Sequence, residues 1–309
     1  MQNKIFIAIA SYLDYEIKYT ILDCIEKGRF PENLTFSVCL QYDAKKGTSK
    51  NCIDGLQKVC NIKIDKFKYT ESKGGCWARN IAQKNYNNEE YTLQVDSHTR
   101  FAKDWDVDIL NDYNLLRLSG IKKPLLTFLP PSYFRDDKKD IDTEFTFLDK
   151  LTHLNIPKIR SISNQYWPEY GGYVNIKDTK NKPVSISLLY GGFIFSKGQW
   201  VVEVEQDPFH YYTGEEFALA LRSFTNGYDL FTPSKVIAWH RSHPYTPKKH
   251  FNNNEEIKVH KFHNIAMQRL KKLVFKEDLG KYGLGNERTL EDYEKFSQID
   301  IKNRKVNHV

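Results

Sequence analysis

The sequence has no long hydrophobic run. A membrane-spanning helix needs roughly 18 or more uncharged, mainly apolar residues, and the longest candidate, residues 184–195, is interrupted by serines, a tyrosine and two glycines. The first ten residues lack the basic region and the small-residue cleavage site of a secretory signal. We therefore expect no membrane span and no signal peptide, and we predict a cytoplasmic protein.

Cysteine is scarce, and its spacing excludes two common kinds of site. The five cysteines are odd in number, and none forms the C-x-x-C pair of a zinc ribbon or a dithiol redox centre. We expect free thiols in a reducing compartment. The five positions are Cys24, Cys39, Cys52, Cys60 and Cys76.

Charge of one sign is only slightly in excess. The 46 basic residues are opposed by 39 acidic ones, which leaves a formal charge of +7 on 309 residues. Such a balance favours a solvated, lysine-rich surface, although it also permits binding of phosphate groups or peripheral contact with a membrane. We expect no nucleic-acid partner.

Apolar periodicity alternates between strand-like and helix-like along the chain, and no internal repeat is visible. This pattern predicts an α/β fold, with a mainly parallel sheet flanked by helices, and ligands that bind beyond the carboxyl ends of the strands. The predicted strands are residues 5–10, 34–40, 62–67, 91–95, 125–129, 184–196 and 236–239, and the predicted helices are residues 15–25, 77–86, 104–118 and 215–225.

The same pattern suggests how the chain is organised. We expect residues 1–250 to form one domain, in which residues 131–183 are an insertion or an acceptor-side lid, because a long stretch without regular pattern is usually functional. Residues 251–309 are expected to form a helical extension that packs on the same domain. Ser11, which directly follows the first predicted strand, is a candidate for donor binding.

The strongest chemical signal is a hydrophobic strand that ends in Asp96-Ser97-His98. A carboxylate and an imidazole two residues apart suit a divalent transition metal, which can bridge the phosphates of a nucleotide-sugar. His240 follows the strand of residues 236–239, so it can meet Asp96 at the same edge of the sheet and supply a third ligand. His243 is the competitor for that role.

Three further features each allow a structural or a functional interpretation. Gly191 and Gly192 mark either a β-bulge or a close approach of the backbone to a sugar. Glu215 and Glu216 open a helix, where they complement the helix dipole or hold sugar hydroxyls, and helical geometry suggests that only one of them faces the site. Arg79 is either exposed or placed to meet the nucleotide or a nearby acid.

Taken together, these segments resemble the GlcNAc-transferase family, glycosyltransferase family 60, which is related to the polypeptide GalNAc transferases. The resemblance is ordered along most of the chain and is more specific than any single motif. It is carried by GCWAR at residues 75–79, YTLQVDSHTRF at 91–101 with WD at 105–106, YGGFIF at 190–195, TGEE at 213–216, GYDLFTP at 227–233 with the strand ending in His240, and RTLEDY at 288–293.

The resemblance implies a Rossmann-like GT-A fold, a UDP-GlcNAc donor, and transfer with retention of anomeric configuration. It implies a divalent metal, such as Mn²⁺, held by Asp96, His98 and His240, and it places Gly192 with Glu215 or Glu216 at the donor sugar. UDP-GalNAc or UDP-glucose is the alternative donor. A metal-dependent hydrolase and a non-catalytic anion-binding module are the alternatives of other classes.

The acceptor is the least determined part of the prediction. A hydroxyl of a polysaccharide or of a protein fits the transferase hypothesis. Residues 164–173 contain a tryptophan and three tyrosines, which can stack on a saccharide. We assign Tyr166 and Trp167 to the acceptor side.

Overall fold

The computed structural model describes residues 3–134, 146–147, 154–176, 179–241, 250–253 and 256–307. The strands are β1 (Ile5–Tyr12), β2 (Leu34–Tyr42), β3 (Asn61–Lys68), β4 (Tyr91–Asp96), β5 (Thr99–Phe101), β6 (Pro124–Thr127), β7 (Ser132–Phe134), β8 (Thr146–Phe147), β9 (Leu154–Ile162), β10 (Pro168–Ile176), β11 (Val184–Ser185), β12 (Phe193–Lys197), β13 (Asp229–Thr232), β14 (Ala238–Arg241), β15 (Ile299–Asp300) and β16 (Lys305–Val306). The helices are α1 (Ile17–Lys27), α2 (Gly75–Gln83), α3 (Trp105–Leu118), α4 (Gln199–Glu203), α5 (Glu215–Thr225), α6 (His250–Asn253), α7 (Glu256–Val274) and α8 (Leu290–Ser297).

A central sheet of eight strands has the order β11-β13-β6-β12-β4-β1-β2-β3. Strands β1 to β4 are mutually parallel, β12 runs antiparallel to both β4 and β6, and β11 runs antiparallel to β13. β1, β2 and β4 are buried almost throughout, because both faces of the sheet are covered. The polar residues within them, such as Ser37 and Gln94, are compensated by hydrogen bonds. The prediction of an α/β fold with a mainly parallel sheet is confirmed.

Two predicted strands differ from the observed ones. Residues 184–196 form two separate strands, β11 and β12, because Gly191 and Gly192 lie in a turn and the preceding segment packs into the core. The strand expected at 236–239 is β14, which is absent from the central sheet. It belongs instead to a four-stranded sheet of order β5-β14-β7-β8.

The segment expected to lack regular structure, residues 131–183, contains an antiparallel hairpin of β9 and β10. The register of this hairpin shifts between Glu169 and Tyr170 and again between Tyr170 and Tyr173. Such shifts bend a strand and redirect its side chains. The hairpin therefore presents its aromatic residues in several directions.

Two large hydrophobic clusters cover the two faces of the central sheet. One contains the buried side of α1 and α3, including Ile21 and Trp105. The other joins α5 with α7 and α8, and includes Phe217, Leu270 and Tyr293. The C-terminal helices thus share a core with α5 and with β6 and β12. No helix in the described part of the chain is long and apolar enough to cross a membrane.

Candidate active site

A cleft of about 800 Å³ opens at the carboxyl ends of β1 and β4. Parallel strands present these ends at one edge of the sheet, where ligands of open α/β sheets bind. The cleft is also reached by the turn before β12, by the start of α5, by β14 and by the β9–β10 hairpin. Among its lining residues are Asp14, Arg79, Asp96, His98, Trp167, Tyr170, Gly192, Glu215, Glu216 and His240.

Asp96, His98 and His240 come together in this cleft. Asp96 is the last residue of β4, and His98 immediately precedes β5, which pairs antiparallel with β14 so that His240 lies opposite Thr99. Nε2 of His240 is 3.2 Å from Oδ2 of Asp96 and 2.9 Å from Nε2 of His98. Across the described residues, this is the group of three potential ligands whose donor atoms all lie within 4.8 Å of one another.

The spacing of these donor atoms fits a divalent metal ion. Ligands bound at about 2.1 Å and at right angles to each other stand about 3 Å apart, as the His240 nitrogen does from its two neighbours. One carboxylate and two imidazoles suit Mn²⁺ and its neighbours in the first transition row. Three protein ligands also leave coordination positions open for oxygens of a substrate.

Asp14 contacts His98, although no pattern in the sequence predicts this pair. Oδ2 of Asp14 lies 2.7 Å from Nδ1 of His98, and the carboxylate is only 1% exposed. Burial lowers the pKa of His98, but the hydrogen bond and charge of Asp14 outweigh it and the pKa is raised. Burial and the neighbouring His98 lower the pKa of His240. The two histidines therefore differ in how readily they take up a proton.

Arg79 on α2 connects two acids of the cleft. Its Nη2 donates to Oδ1 of Asp96 at 3.0 Å, and its Nη1 donates to Oε1 of Glu215. Burial would raise the pKa of Asp96, but the hydrogen bond to His240 and the charge of Arg79 hold it well below its usual range. Asp96 is therefore a carboxylate anion, the form that binds a metal.

Glu215 and Glu216 both line the cleft, contrary to the expectation that helical geometry would admit only one of them. They stand at the first turn of α5, and each is held by a different partner. Glu215 accepts hydrogen bonds from Arg79 and from the Cys76 thiol, whereas Oε1 of Glu216 accepts from the Gly191 amide at 2.8 Å. Burial and the charge of Glu215 raise the pKa of Glu216 to about 7.

Gly191 and Gly192 lie in close contact with side chains at the floor of the cleft. A Cβ at Gly191 would lie 2.7 Å from Nη1 of Arg79 and 2.9 Å from Oε1 of Glu215. A Cβ at Gly192 would lie 3.0 Å from Oδ2 of Asp96. The structure therefore explains this pair of glycines by the approach of the turn to the acidic centre rather than by a β-bulge.

A family profile described as Glycosyltransferase (GlcNAc) matches residues 53–303. The chain belongs to this family. The match spans most of the chain, including the segments that supply Arg79, the three candidate metal ligands and both glutamates. The predicted family is confirmed, and the protein is a glycosyltransferase. No curated protein matches the sequence.

Solved structures resemble this glycosyltransferase over nearly all of its length. GalNAc-T7 with UDP, GalNAc and Mn²⁺ is 13% identical with a TM-score of 0.53, and the match covers 96% of this chain and 55% of that one. S. aureus TarS 1-349 with UDP is 12% identical with a TM-score of 0.48, covering 90% and 67%. TarS 1-349 with UDP-GlcNAc is 14% identical with a TM-score of 0.48, covering 90% and 68%. The similarity to GalNAc-T7 confirms the GT-A fold.

Three predicted site residues of the glycosyltransferase have other surroundings or lie outside the described part. Ser11 is fully buried and does not line the cleft, since its neighbours in β1 point to the cleft instead. Trp167 lines the cleft, but Tyr166 turns away and packs edge-on against Phe275, with ring centroids 5.4 Å apart. His243 lies outside the described residues.

Proposed function

We propose that the protein is a metal-dependent, retaining glycosyltransferase that moves GlcNAc from UDP-GlcNAc to a hydroxyl group. The observation that carries the proposal is the Asp96, His98 and His240 cluster at the carboxyl edge of the sheet in a member of the GlcNAc glycosyltransferase family. GalNAc-T7, which shares the fold, was crystallised with UDP, GalNAc and Mn²⁺. UDP-GalNAc and UDP-glucose are the alternative donors.

The three ligands would hold a divalent cation, with Mn²⁺ as the proposed ion. When bound, such an ion neutralises charge on the leaving diphosphate. Arg79 is the single arginine or lysine among the described residues that line the cleft, and it already pairs with Asp96 and Glu215. This part of the cleft therefore offers a diphosphate few positively charged side chains, which supports a metal requirement.

The start of α5 and the glycine turn are proposed to hold the donor sugar. Glu215 has both carboxylate oxygens engaged, one by Arg79 and one by the Cys76 thiol, so it is suited to positioning rather than to nucleophilic attack. Glu216, with a pKa of about 7, can either donate or accept a hydrogen bond at neutral pH. These roles agree with retention of configuration and an α-linked product.

The β9–β10 hairpin is proposed to form the acceptor side of the cleft. Trp167 and Tyr170 both line the cleft, and Trp167 lies beside Gly214 at the start of α5. Flat aromatic rings offer stacking surfaces to sugar rings. A saccharide or a glycosylated protein is therefore the proposed acceptor class. Five free thiols agree with a reducing compartment such as the cytoplasm.

Calorimetry of UDP binding with and without Mn²⁺ tests the proposal. Tighter binding of UDP in Mn²⁺, lost in Asp96→Ala, is the expected result. Equal binding with and without the ion would favour a simple anion-binding module. Hydrolysis of UDP-GlcNAc that no acceptor can divert would favour the hydrolase. Competition by UDP-GalNAc and UDP-glucose against UDP-GlcNAc identifies the donor.

A further inference from the structure

The turn that follows β1 contains two acids that are almost completely buried. Asp14 is 1% exposed and Glu16 is 0% exposed. A carboxylate removed from water to this extent must be compensated by hydrogen bonds or opposite charge. Asp14 has its partners in the turn that contains His98, and Glu16 has its partners on β5, which follows His98, and on β14, which contains His240.

Asp14 accepts three hydrogen bonds. Its Oδ1 accepts from the Glu16 amide at 2.9 Å, and its Oδ2 accepts from the Ser97 hydroxyl and from Nδ1 of His98 at 2.7 Å. Because a carboxylate oxygen only accepts, the ring proton of neutral His98 is held on Nδ1. Nε2 is then left with a free lone pair, and this is the atom that faces His240.

Glu16 connects β5, which follows His98, and β14, which contains His240, to the same turn. Its Oε2 accepts from Arg100 in β5, two residues after His98. Its Oε1 accepts from Arg241 in β14 at 2.8 Å, and Arg241 directly follows His240. Both arginines are only 1% exposed. The buried carboxylate of Glu16 therefore fixes the position of β14 relative to β5.

We propose that Asp14 is a positioning residue of the metal centre, which selects the tautomer and ring orientation of His98, while Glu16 fixes β5, which follows His98, and β14, which contains His240. The inference rests on the proposed metal site. Carboxylates that hold metal-binding histidines in this way commonly account for 10- to 100-fold in metal affinity.

Asp14→Asn is the decisive variant, because asparagine preserves the shape of the side chain and removes one hydrogen-bond acceptor, a carboxylate oxygen. If the amide oxygen keeps the Glu16 bond, the amide nitrogen faces His98 and moves the ring proton to Nε2, where it blocks metal binding. We expect the dissociation constant for Mn²⁺ alone, measured by electron paramagnetic resonance of the free ion, to rise about 10- to 100-fold. The KM for Mn²⁺ should rise similarly, whereas kcat at saturating Mn²⁺ should stay within a few-fold.

Asp23→Asn is the matched control. Asp23 accepts a hydrogen bond from the Phe101 amide of β5 at 2.6 Å, and in the described structure it forms no hydrogen bond or ion pair with His98 or His240. Its replacement should leave Mn²⁺ affinity unchanged. Equal Mn²⁺ affinity in wild type and Asp14→Asn would overturn the inference, and absence of Mn²⁺ binding to the wild type would overturn the proposed metal site instead.

Histidine NMR provides a test that needs neither metal nor a folded variant. In metal-free wild-type protein at alkaline pH, the ¹⁵N shifts of His98 should show the tautomer with its proton on Nδ1. A proton on Nε2 would contradict the role of Asp14. This measurement tests the tautomer that Asp14 imposes on His98 even if Asp14→Asn does not fold.

Discussion

Replacing Glu216 by glutamine should change how the stability of the protein depends on pH. The pKa of Glu216 is raised from 4.5 to about 7, first by burial and then by the charge of Glu215. The folded state therefore binds a proton at Glu216 more tightly than the unfolded state does. The resulting stabilisation is complete below pH 4.5 and is lost as the pH rises through about 7.

The size of this effect follows from the two pKa values. A difference of about 2.5, at about 1.4 kcal/mol for each pKa unit, gives an upper limit of about 3–4 kcal/mol. Glu216 is partly exposed to the cleft, where solvent screens its charge, so we expect about 1–3 kcal/mol. Glutamine can still accept from the Gly191 amide and carries no charge. Between acid and alkaline pH, the free energy of unfolding of Glu216→Gln should therefore rise by this amount relative to that of wild type.

The measurement is urea unfolding of both proteins at about pH 4 and about pH 8. EDTA keeps the site metal-free. All other titrating groups are shared, so the difference between the two free energies of unfolding reports mainly on Glu216. A difference that stays constant within about 0.5 kcal/mol across this range would refute the raised pKa. If Glu216→Gln instead gained stability relative to wild type toward low pH, the folded protein would favour the Glu216 carboxylate anion.

Further predictions concern the metal, the glycine turn, the acceptor and the product. Asp96→Ala should lower kcat/KM at least about 100-fold with an unchanged circular dichroism spectrum, and near-normal turnover would refute the metal assignment. Gly191→Ala should raise the KM for the UDP-sugar and lower the free energy of unfolding by about 1–3 kcal/mol, because its methyl group would displace Arg79. Unchanged kinetics would show that the turn accommodates the methyl group without moving Arg79. Trp167→Ala should raise the acceptor KM about tenfold, whereas Tyr166→Ala should affect only thermal stability, and the reverse pattern would exchange their roles. NMR of the product should show an α linkage, and a β linkage would contradict retention.

Local sequence patterns were sufficient for most of the central sheet and its helices. β1, β2 and β4 were predictable because apolar residues are frequent along them or alternate at strand spacing. The predicted helix at residues 215–225 has the same bounds as α5, since its apolar residues recur at helical spacing and Asn226-Gly227 ends it. Ordered motifs along the chain also identified the family.

Contacts between distant segments were not predictable in the same way. Residues 184–196 were expected to form one strand because their apolar content does not distinguish a strand from a buried loop. His240 was expected at the edge of the central sheet, whereas β14 pairs with β5 in another sheet. Its approach to Asp96 and His98 therefore depends on a strand pairing that periodicity does not specify.

The sequence by itself determined the α/β class, the family, and the residue types suited to a metal and a nucleotide-sugar, because these depend on local periodicity and on the spacing of motifs. Only the tertiary structure decided which side chains meet. Asp14 is 84 residues from His98, and Arg79 is 136 residues from Glu215. A buried carboxylate looks like any surface acid in the sequence, and its role arises only when folding removes it from water and places a partner beside it.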